Sequence, residues 1–241
     1  VSHEVRTPLT TVQGNLELLR RGLMNDPALQ QEAMQAIEGE TIRMSRLVSD
    51  LLLLAQADAG VRFELKPVEL DTVLLEVYRQ ALMLAADTGI RVCLGHEDQA
   101  IVLGDADRLR QLLLNLAENG IKYTPPPGTV TLSLHRDDEW VRVTVADTGV
   151  GIAPEDLPHI FERFYRSKRQ TGRARGGTGL GLSIAQWVAE EHKGHLTVES
   201  RVGEGTTFTL WLPTLEWWQK QGKQNGAGES QAPTQRLPAK G

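Results

Sequence analysis

His3 is followed directly by an acid, with a threonine four residues on and a proline five residues on, in the run Ser2-His3-Glu4-Val5-Arg6-Thr7-Pro8-Leu9. A neutral imidazole is a good nucleophile near neutral pH. An adjacent carboxylate that accepts the proton of its other nitrogen orients the ring and offsets charge as it attacks. His3 is therefore a candidate for covalent modification, although a lone histidine near a chain end is more often a solvated side chain. Its weight comes from residues more than a hundred positions away. In Asn115-Leu116-Ala117-Glu118-Asn119-Gly120-Ile121-Lys122-Tyr123, the residues Asn115, Asn119 and Lys122 recur at helical steps of four and three and so share one helix face. Two carboxamides, an ammonium and the Tyr123 ring suit a metal-bound polyphosphate and a base, because carboxamide oxygens are hard ligands fit for Mg²⁺. An exposed polar face with a helix cap would explain that one motif about as well.

Asp147-Thr148-Gly149-Val150-Gly151 adds a carboxylate at the end of a strand-like run. Such a carboxylate can accept from the exocyclic amine of adenine, where guanine would present a carbonyl, and glycines let backbone approach a ligand. Alone the pattern is weak, since turns are rich in these residues. Gly176-Gly177-Thr178-Gly179-Leu180-Gly181-Leu182 strengthens it as a flexible turn into a helix, where unpaired amides can receive phosphate. It lacks the Gly-Lys-Ser/Thr of a Walker loop, and its spacing is not that of a dinucleotide fingerprint. The thirty or so intervening residues read as a lid or a disordered segment. It holds Arg163, Arg166, Lys168, Arg169, Arg173 and Arg175, a local basic excess suited to triphosphate, although each arginine taken singly would fit a solvated loop; Phe161 and Phe164 are expected to anchor a lid by packing.

These groups must be positioned by two kinds of element. From Val5 to Leu23, apolar residues (Val5, Leu9, Val12, Leu16, Leu19, Leu23) step by four and three, the seam of a helix packing lengthwise on others. After Asn25-Asp26-Pro27, a second helix is expected from about Leu29 to Ala59, with Met34, Ile37, Met44, Leu47, Leu51 and Leu54 on one stripe. Two helices cannot bury both stripes, so the pattern predicts a dimeric four-helix bundle. Gly39 inside the second helix has no explanation in the pattern. Beyond Gly60, short β-type runs (63–65, 90–94, 101–103, 130–134, 141–145, 196–199, 206–212) alternate with helical stretches near 71–86, 107–121 and 180–190. This predicts a sheet backed by helices, an α/β sandwich, and hence an α+β chain overall. The turn Arg136-Asp137-Asp138-Glu139 marks the clearest antiparallel hairpin. From about Gln219 onward the composition could bury no core, and Trp217 and Trp218 are expected to pack on the domain. The expected division is a hairpin over 1–60, an α/β domain over 61–214 and a disordered tail over 215–241.

The 241 residues are 40% hydrophobic and 24% charged, which excludes collagenous and wholly disordered classes. A net charge of -5 gives no global attraction to nucleic acid, so none is expected as a partner. The single cysteine, Cys93, excludes an internal disulfide framework and reads as a buried strand residue in a reducing compartment. No apolar run approaches the ~20 residues that span a bilayer, and no signal peptide is visible. The expectation is a cytoplasmic chain, attached to a membrane only through a segment upstream of Val1, if at all, and read as a piece with its upstream part missing.

Taken together, the motifs resemble the catalytic core of the sensor histidine kinases of two-component signalling, over some nine-tenths of the chain. Ser2 to Leu9 looks like the family's H box, Asn115 to Tyr123 its N box, Asp147 to Gly151 its G1 box, Phe161 to Phe164 its F box and Gly177 to Gly181 its G2 box. Gly203-Glu204-Gly205-Thr206-Thr207-Phe208 resembles the closing glycine turn. The resemblance implies a dimeric phosphoacceptor hairpin followed by a Bergerat-type ATP-binding domain, with ATP and Mg²⁺ as cofactors and a response regulator receiver domain as partner. It implies that His3 accepts the γ-phosphate on Nε2, that Glu4 orients it, and that Thr7 helps place water when the partner is dephosphorylated, with Pro8 bending the helix there. It also implies Asn119 as the Mg²⁺ ligand with Asn115 in support, Lys122 as a phosphate contact, Tyr123 as an adenine contact and Asp147 as the adenine-amine acceptor. Gly149, Gly151, Gly177, Gly179, Gly181 and Leu182 would line the nucleotide site, and Arg166 would reach the γ-phosphate. Val5 and Gly120 stand where leucine and alanine are usual, and Gly120 is expected to loosen the end of the N-box helix. One other function class is a gyrase- or chaperone-like ATP-binding switch without phosphohistidine, against which the His3-Glu4-Thr7 register argues; another is a regulatory protein that has lost phosphotransfer, against which the full set of expected site residues argues.

Overall fold

A computed structural model describes residues 2–22, 26–167 and 178–225, with side chains over 6–22, 26–167 and 178–221. Helices α1 (Ser2–Arg20) and α2 (Pro27–Asp58) pack on one another as a hairpin. The Asp26 carboxylate accepts from the Ala28 amide at 2.9 Å, and Pro27 takes the first turn, where its missing N–H costs nothing. α1 runs unbroken through Pro8. Of the expected seam, Leu47 and Leu54 are buried and Val12, Leu19, Ile37, Met44 and Leu51 half-buried, whereas Leu9, Leu16 and Met34 face solvent.

The remaining chain forms a five-stranded sheet backed by helices, so the architecture is α+β. In chain order it comprises β1 (Lys66–Glu69), α3 (Leu70–Ala85), β2 (Ile90–Glu97), β3 (Ile101–Gly104), α4 (Ala106–Tyr123), β4 (Gly128–Arg136), β5 (Trp140–Asp147), α5 (Gly181–Glu191), β6 (His195–Arg201), β7 (Gly205–Pro213) and α6 (Leu215–Asn225). The sheet order is β2-β4-β5-β7-β6, with β2 parallel to β4 and the other neighbours antiparallel, while β1 and β3 pair separately. Val130, Leu132 and Leu134 on β4 and Val141, Val143 and Val145 on β5 alternate inward, as a sheet covered on one face requires. Against them lie Leu74 and Val77 of α3, Leu109, Leu113 and Leu116 of α4, and Ile184 and Val188 of α5, all fully or almost fully buried. Each such side chain contributes about 1.5–3 kcal/mol relative to exposure. Leu47, Leu53 and Leu54 of α2 join the same core, so the second hairpin helix packs on both units.

Two expectations need correction. The run 63–65 is not a strand; the Phe63 ring is taken up by packing on Trp187 at 4.9 Å and on His192, and pairing begins only at Lys66. The expected disordered tail begins as helix α6. Thr214 is buried and its Oγ accepts from the Trp217 amide at 3.2 Å, a capping contact. Trp217 packs on Trp140 and Glu216 pairs with Arg136 at 2.6 Å, so aromatic burial and an ion pair hold a helix whose composition alone would not. Residues 226–241 lie outside the described residues. Cys93 sits in β2 as expected, half-buried rather than buried. Among the described residues no helix is long and apolar enough to cross a membrane.

Candidate nucleotide site

One cavity of about 1150 Å³ lies between the C-terminal half of α4, the end of β5, the start of α5 and the flank of α2. Asn115, Asn119, Lys122, Tyr123, Asp147, Gly151, Arg166, Gly179, Gly181 and Leu182 all line it. α4 places its polar residues there because its leucines claim the opposite face: Leu109, Leu112, Leu113 and Leu116 are buried against the sheet, leaving Asn115, Asn119 and Lys122 half-buried at the cavity. The helix starts under a firm cap, with Asp105 Oδ1 accepting from the Asp107 and Arg108 amides at 3.0 and 3.1 Å. Asn115 Nδ2 is buried and has no protein partner. A buried donor left this way costs about 1–3 kcal/mol, so it marks a place for an acceptor such as a phosphate oxygen. Lys122 holds its ammonium 4.9 Å from the centroid of the Tyr123 ring.

Asp147 ends β5 with Oδ1 accepting from the Gly149 amide at 2.8 Å and the Thr206 amide at 3.2 Å. Both bonds fall on one oxygen, which fixes the carboxylate plane and leaves Oδ2 for another donor. Burial pushes its pKa above the usual carboxylate range, and the two amides only partly offset that. The group is thus a partly dehydrated acceptor on the cavity wall.

At two of the glycines the protein's own backbone also leaves no room for a side chain. Gly151 has φ +68°, and a Cβ there would lie 2.1 Å from the Arg201 carbonyl oxygen; Gly179 has φ +70°, with its would-be Cβ 2.8 Å from the Phe164 carbonyl carbon. Both positions are therefore dictated by contact with the protein's own backbone. Gly149 acts through its amide on Asp147 and does not line the cavity. Gly181 opens α5 behind Leu180, which has no side chain capping the first turn, so the first amides of this helix are available to an anion.

The lid base is held by Asp156, whose two carboxylate oxygens each accept at 2.6 Å, from the Tyr165 hydroxyl and the Ser167 hydroxyl. The Asp156 carboxylate raises the Tyr165 phenol to about 12. Phe161 anchors the lid as expected, edge-on to Phe208 with centroids 6.5 Å apart. Phe164 does not; it is exposed, and its φ of +65° turns the chain so that its amide bonds to the Gly179 carbonyl at 2.9 Å. Arg166 is exposed at the cavity edge. Lys168, Arg169, Arg173, Arg175 and Gly177 lie outside the described residues.

The cavity wall formed by α2 was not legible from motif spacing. Gly39, Glu40, Arg43, Arg46 and Asp50 line the cavity. Asp50 accepts from the Thr178 hydroxyl at 3.4 Å, Arg46 pairs with Glu118 at 3.4 Å, and Asp58 takes both arms of Arg163 at 2.7 and 3.0 Å. Burial raises the Asp50 pKa despite the Thr178 bond. Gly39 is not required by packing, since a Cβ there meets nothing within 4 Å. Thr7 is exposed on α1 and outside the cavity, and His3 and Glu4 lie in the same helix with side chains outside the described residues. Gly120 is buried in the last turn of α4, where a Cβ would meet Val130 Cγ1 at 3.2 Å, and its carbonyl accepts from the Thr124 hydroxyl at 2.6 Å. The helix end is therefore tight at Gly120, not loosened.

The same arrangement occurs in known proteins. Residues 104–216 match the family "Histidine kinase-, DNA gyrase B-, and HSP90-like ATPase", which implies that this domain binds ATP, and residues 1–60 match the "His Kinase A (phospho-acceptor) domain". Sensor histidine kinase YkoH of Bacillus subtilis is 36% identical over 216 residues, 87% of this chain and 45% of YkoH. Full-length ShkA, solved with AMPPNP, is 32% identical with a TM-score of 0.67, covering 88% of this chain and 44% of ShkA. Histidine kinase ThkA, solved with the response regulator protein TrrA, is 25% identical with a TM-score of 0.66, covering 89% of this chain and 60% of that one. The chain spans less than half the length of the curated relatives it matches. With an acceptor-hairpin match ahead of an ATPase match, and relatives aligned across both, the chain belongs to the sensor histidine kinases of two-component signalling.

Proposed function

We propose that this chain transfers the γ-phosphoryl group of ATP to His3 and then to an aspartate of a response regulator receiver domain, and that it also dephosphorylates that regulator. The observation that carries the reading is the convergence of Asp147, Asn115, Asn119, Lys122 and Arg166 on one cavity in a chain whose first sixty residues match a phosphoacceptor family. Asp147 Oδ2 accepts from the adenine amine beside Tyr123. Lys122, Arg166, the unpaired Asn115 Nδ2 and the first amides of α5 face the phosphates. The hard oxygens of Asn119 and Asn115 suit Mg²⁺, which would neutralise charge on the phosphate oxygens. Glu4 accepts the Nδ1 proton of His3 while Nε2 forms the new N–P bond, and the bond from the γ-phosphorus to its bridging oxygen breaks as ADP leaves. Thr7, one turn on from His3, positions water for the reverse task.

Residues 1–60 serve as the dimerising hairpin and 61–214 as the ATP-binding domain, working in the cytoplasm as a homodimer. The nucleotide cavity is held against α2, and none of the described residues of α1 lines it, so a movement of that domain relative to the hairpin would carry the γ-phosphate to His3. Incubation with γ-labelled ATP and Mg²⁺ should give an acid-labile, alkali-stable phosphoramidate that His3→Gln abolishes. Label persisting in His3→Gln would sink the assignment, and ATP hydrolysis with no label at all would favour the conformational-switch class.

A further inference from the structure

At the far end of β4 from Asp147, the register of β2 against β4 slips. Leu94 pairs with Leu132 but Glu97 with Leu134, so one extra residue is bulged into β2 around Gly95 and His96. The bulge stacks the His96 ring on that of His135, with centroids 4.3 Å apart and planes 11° from parallel. His96 Nε2 lies 2.8 Å from Asp98 Oδ1. The other oxygen, Asp98 Oδ2, accepts from the Arg136 amide at 2.9 Å, and the Asp98 amide donates to the Leu134 carbonyl at 3.0 Å. These bonds orient the carboxylate as the outer bonds of a metal ligand do. The Arg136 guanidinium pairs with Glu216 at 2.6 Å, and that of Arg142, opposite His135 across the sheet, lies over the Trp211 ring.

We propose that His96, Asp98 and His135 form a binding site for a late first-row divalent ion of the zinc class, separate from the nucleotide site. One ligand atom from each residue lies within 4.8 Å of the other two, close enough for a side-chain rotation to bring them to the ~2.0–2.2 Å metal–ligand distances of such ions. Two imidazoles and one carboxylate form a borderline donor set that selects zinc, copper or nickel over magnesium and calcium, and water would complete the shell. Val130 pairs with Asp147 and His135 is five residues along the same strand, so the two sites are about 17 Å apart at ~3.4 Å per residue.

The whole chain, stripped with chelator and free of nucleotide, should take up one Zn²⁺ in calorimetric titration. Co²⁺ in its place should give the visible bands of a low-symmetry site, and the unfolding midpoint should rise with zinc concentration. Replacing both histidines (His96→Ala with His135→Ala) should abolish uptake, and Asp98→Asn, which can still accept from the Arg136 amide, should weaken it by ~10-fold or more. ATP-analogue binding should be unchanged in each, which separates loss of the site from loss of the fold. Absence of saturable uptake, or uptake undiminished in the double variant, would overturn the proposal.

Discussion

The hairpin and the α/β domain solve the same problem in opposite ways. The domain closes its core within the chain: Leu74, Leu113, Leu116 and Ile184 have no exposed surface worth counting, because three helices cover one face of a sheet whose residues alternate in and out. The hairpin leaves apolar surface on both helices, with Leu16 at 51% and Leu52 at 61% exposed. A helix can bury one stripe on its neighbour, and α2 spends its second stripe on the ATP-binding domain only over its last third, through Leu47, Leu53 and Leu54. The comparison shows which unit is complete alone and which asks for a second copy.

The contrast would break most readily in the core. Leu113→Ala should cost about 2–5 kcal/mol, read as a loss of unfolding free energy in denaturant titration. Leu16→Ala should leave that quantity nearly unchanged in dilute monomer and act instead on the dimerisation constant, measured by sedimentation. If Leu16→Ala destabilises the monomer as much as Leu113→Ala, the hairpin stripe is not an interface.

Asp147→Asn sharpens the contrast from within the domain. The amide oxygen can keep both backbone bonds, and the burial that raises the Asp147 pKa no longer opposes a charge, so stability should hold or rise. ATP affinity should fall by ~10–100-fold, the worth of a hydrogen bond to a charged group, because an amide N–H can face the adenine amine. A pocket variant more stable and less able to bind is the signature to seek by thermal unfolding and ATP titration.

A smaller effect is the pH dependence of folding. His192 is fully buried, its Nδ1–H donating to the Val188 carbonyl at 2.7 Å and its Nε2 accepting from the Asp105 amide at 2.9 Å. Burial lowers its pKa below 6.5, so the folded state prefers the neutral ring. This contribution is whole above pH 6.5 and is lost as pH falls toward the folded value, while Asp147, raised by burial, works in the opposite sense at lower pH. Domain stability should therefore decline as pH drops below 6.5, and His192→Gln should flatten that limb in pH-dependent unfolding. The smallest expected effect is at Asp58, an exposed partner of Arg163. Asp58→Ala should raise the rate of autophosphorylation severalfold at most and lose even that advantage at high salt.

What could be read in advance followed short-range periodicity. Asn115, Asn119 and Lys122 were legible because helical spacing alone puts them on one face, and Asp147 because a strand-end carboxylate followed by Gly-x-Gly is local information. β1 was not, since Lys66 and Pro67 carry no strand signal and its pairing with β3 is set by residues over thirty positions away. His192 and the α2 wall of the cavity were hidden for the same reason: their partners, Asp105, Glu118, Arg163 and Thr178, are fixed only when distant segments pack. α6 was misread because its stability comes from the surface formed by Trp140 and Arg136.

The α2 wall makes the nucleotide cavity a joint property of two units, so the hairpin is placed to act as its shutter. Any twist of α2 about its own axis sweeps Glu40, Arg43, Arg46 and Asp50 across the opening. The rate at which a fluorescent ATP analogue enters and leaves should then report the rotational setting of that helix, as a tachometer for signals arriving from the hairpin. An exchange rate indifferent to a hinge substitution such as Gly39→Pro in α2 would show the shutter to be always open.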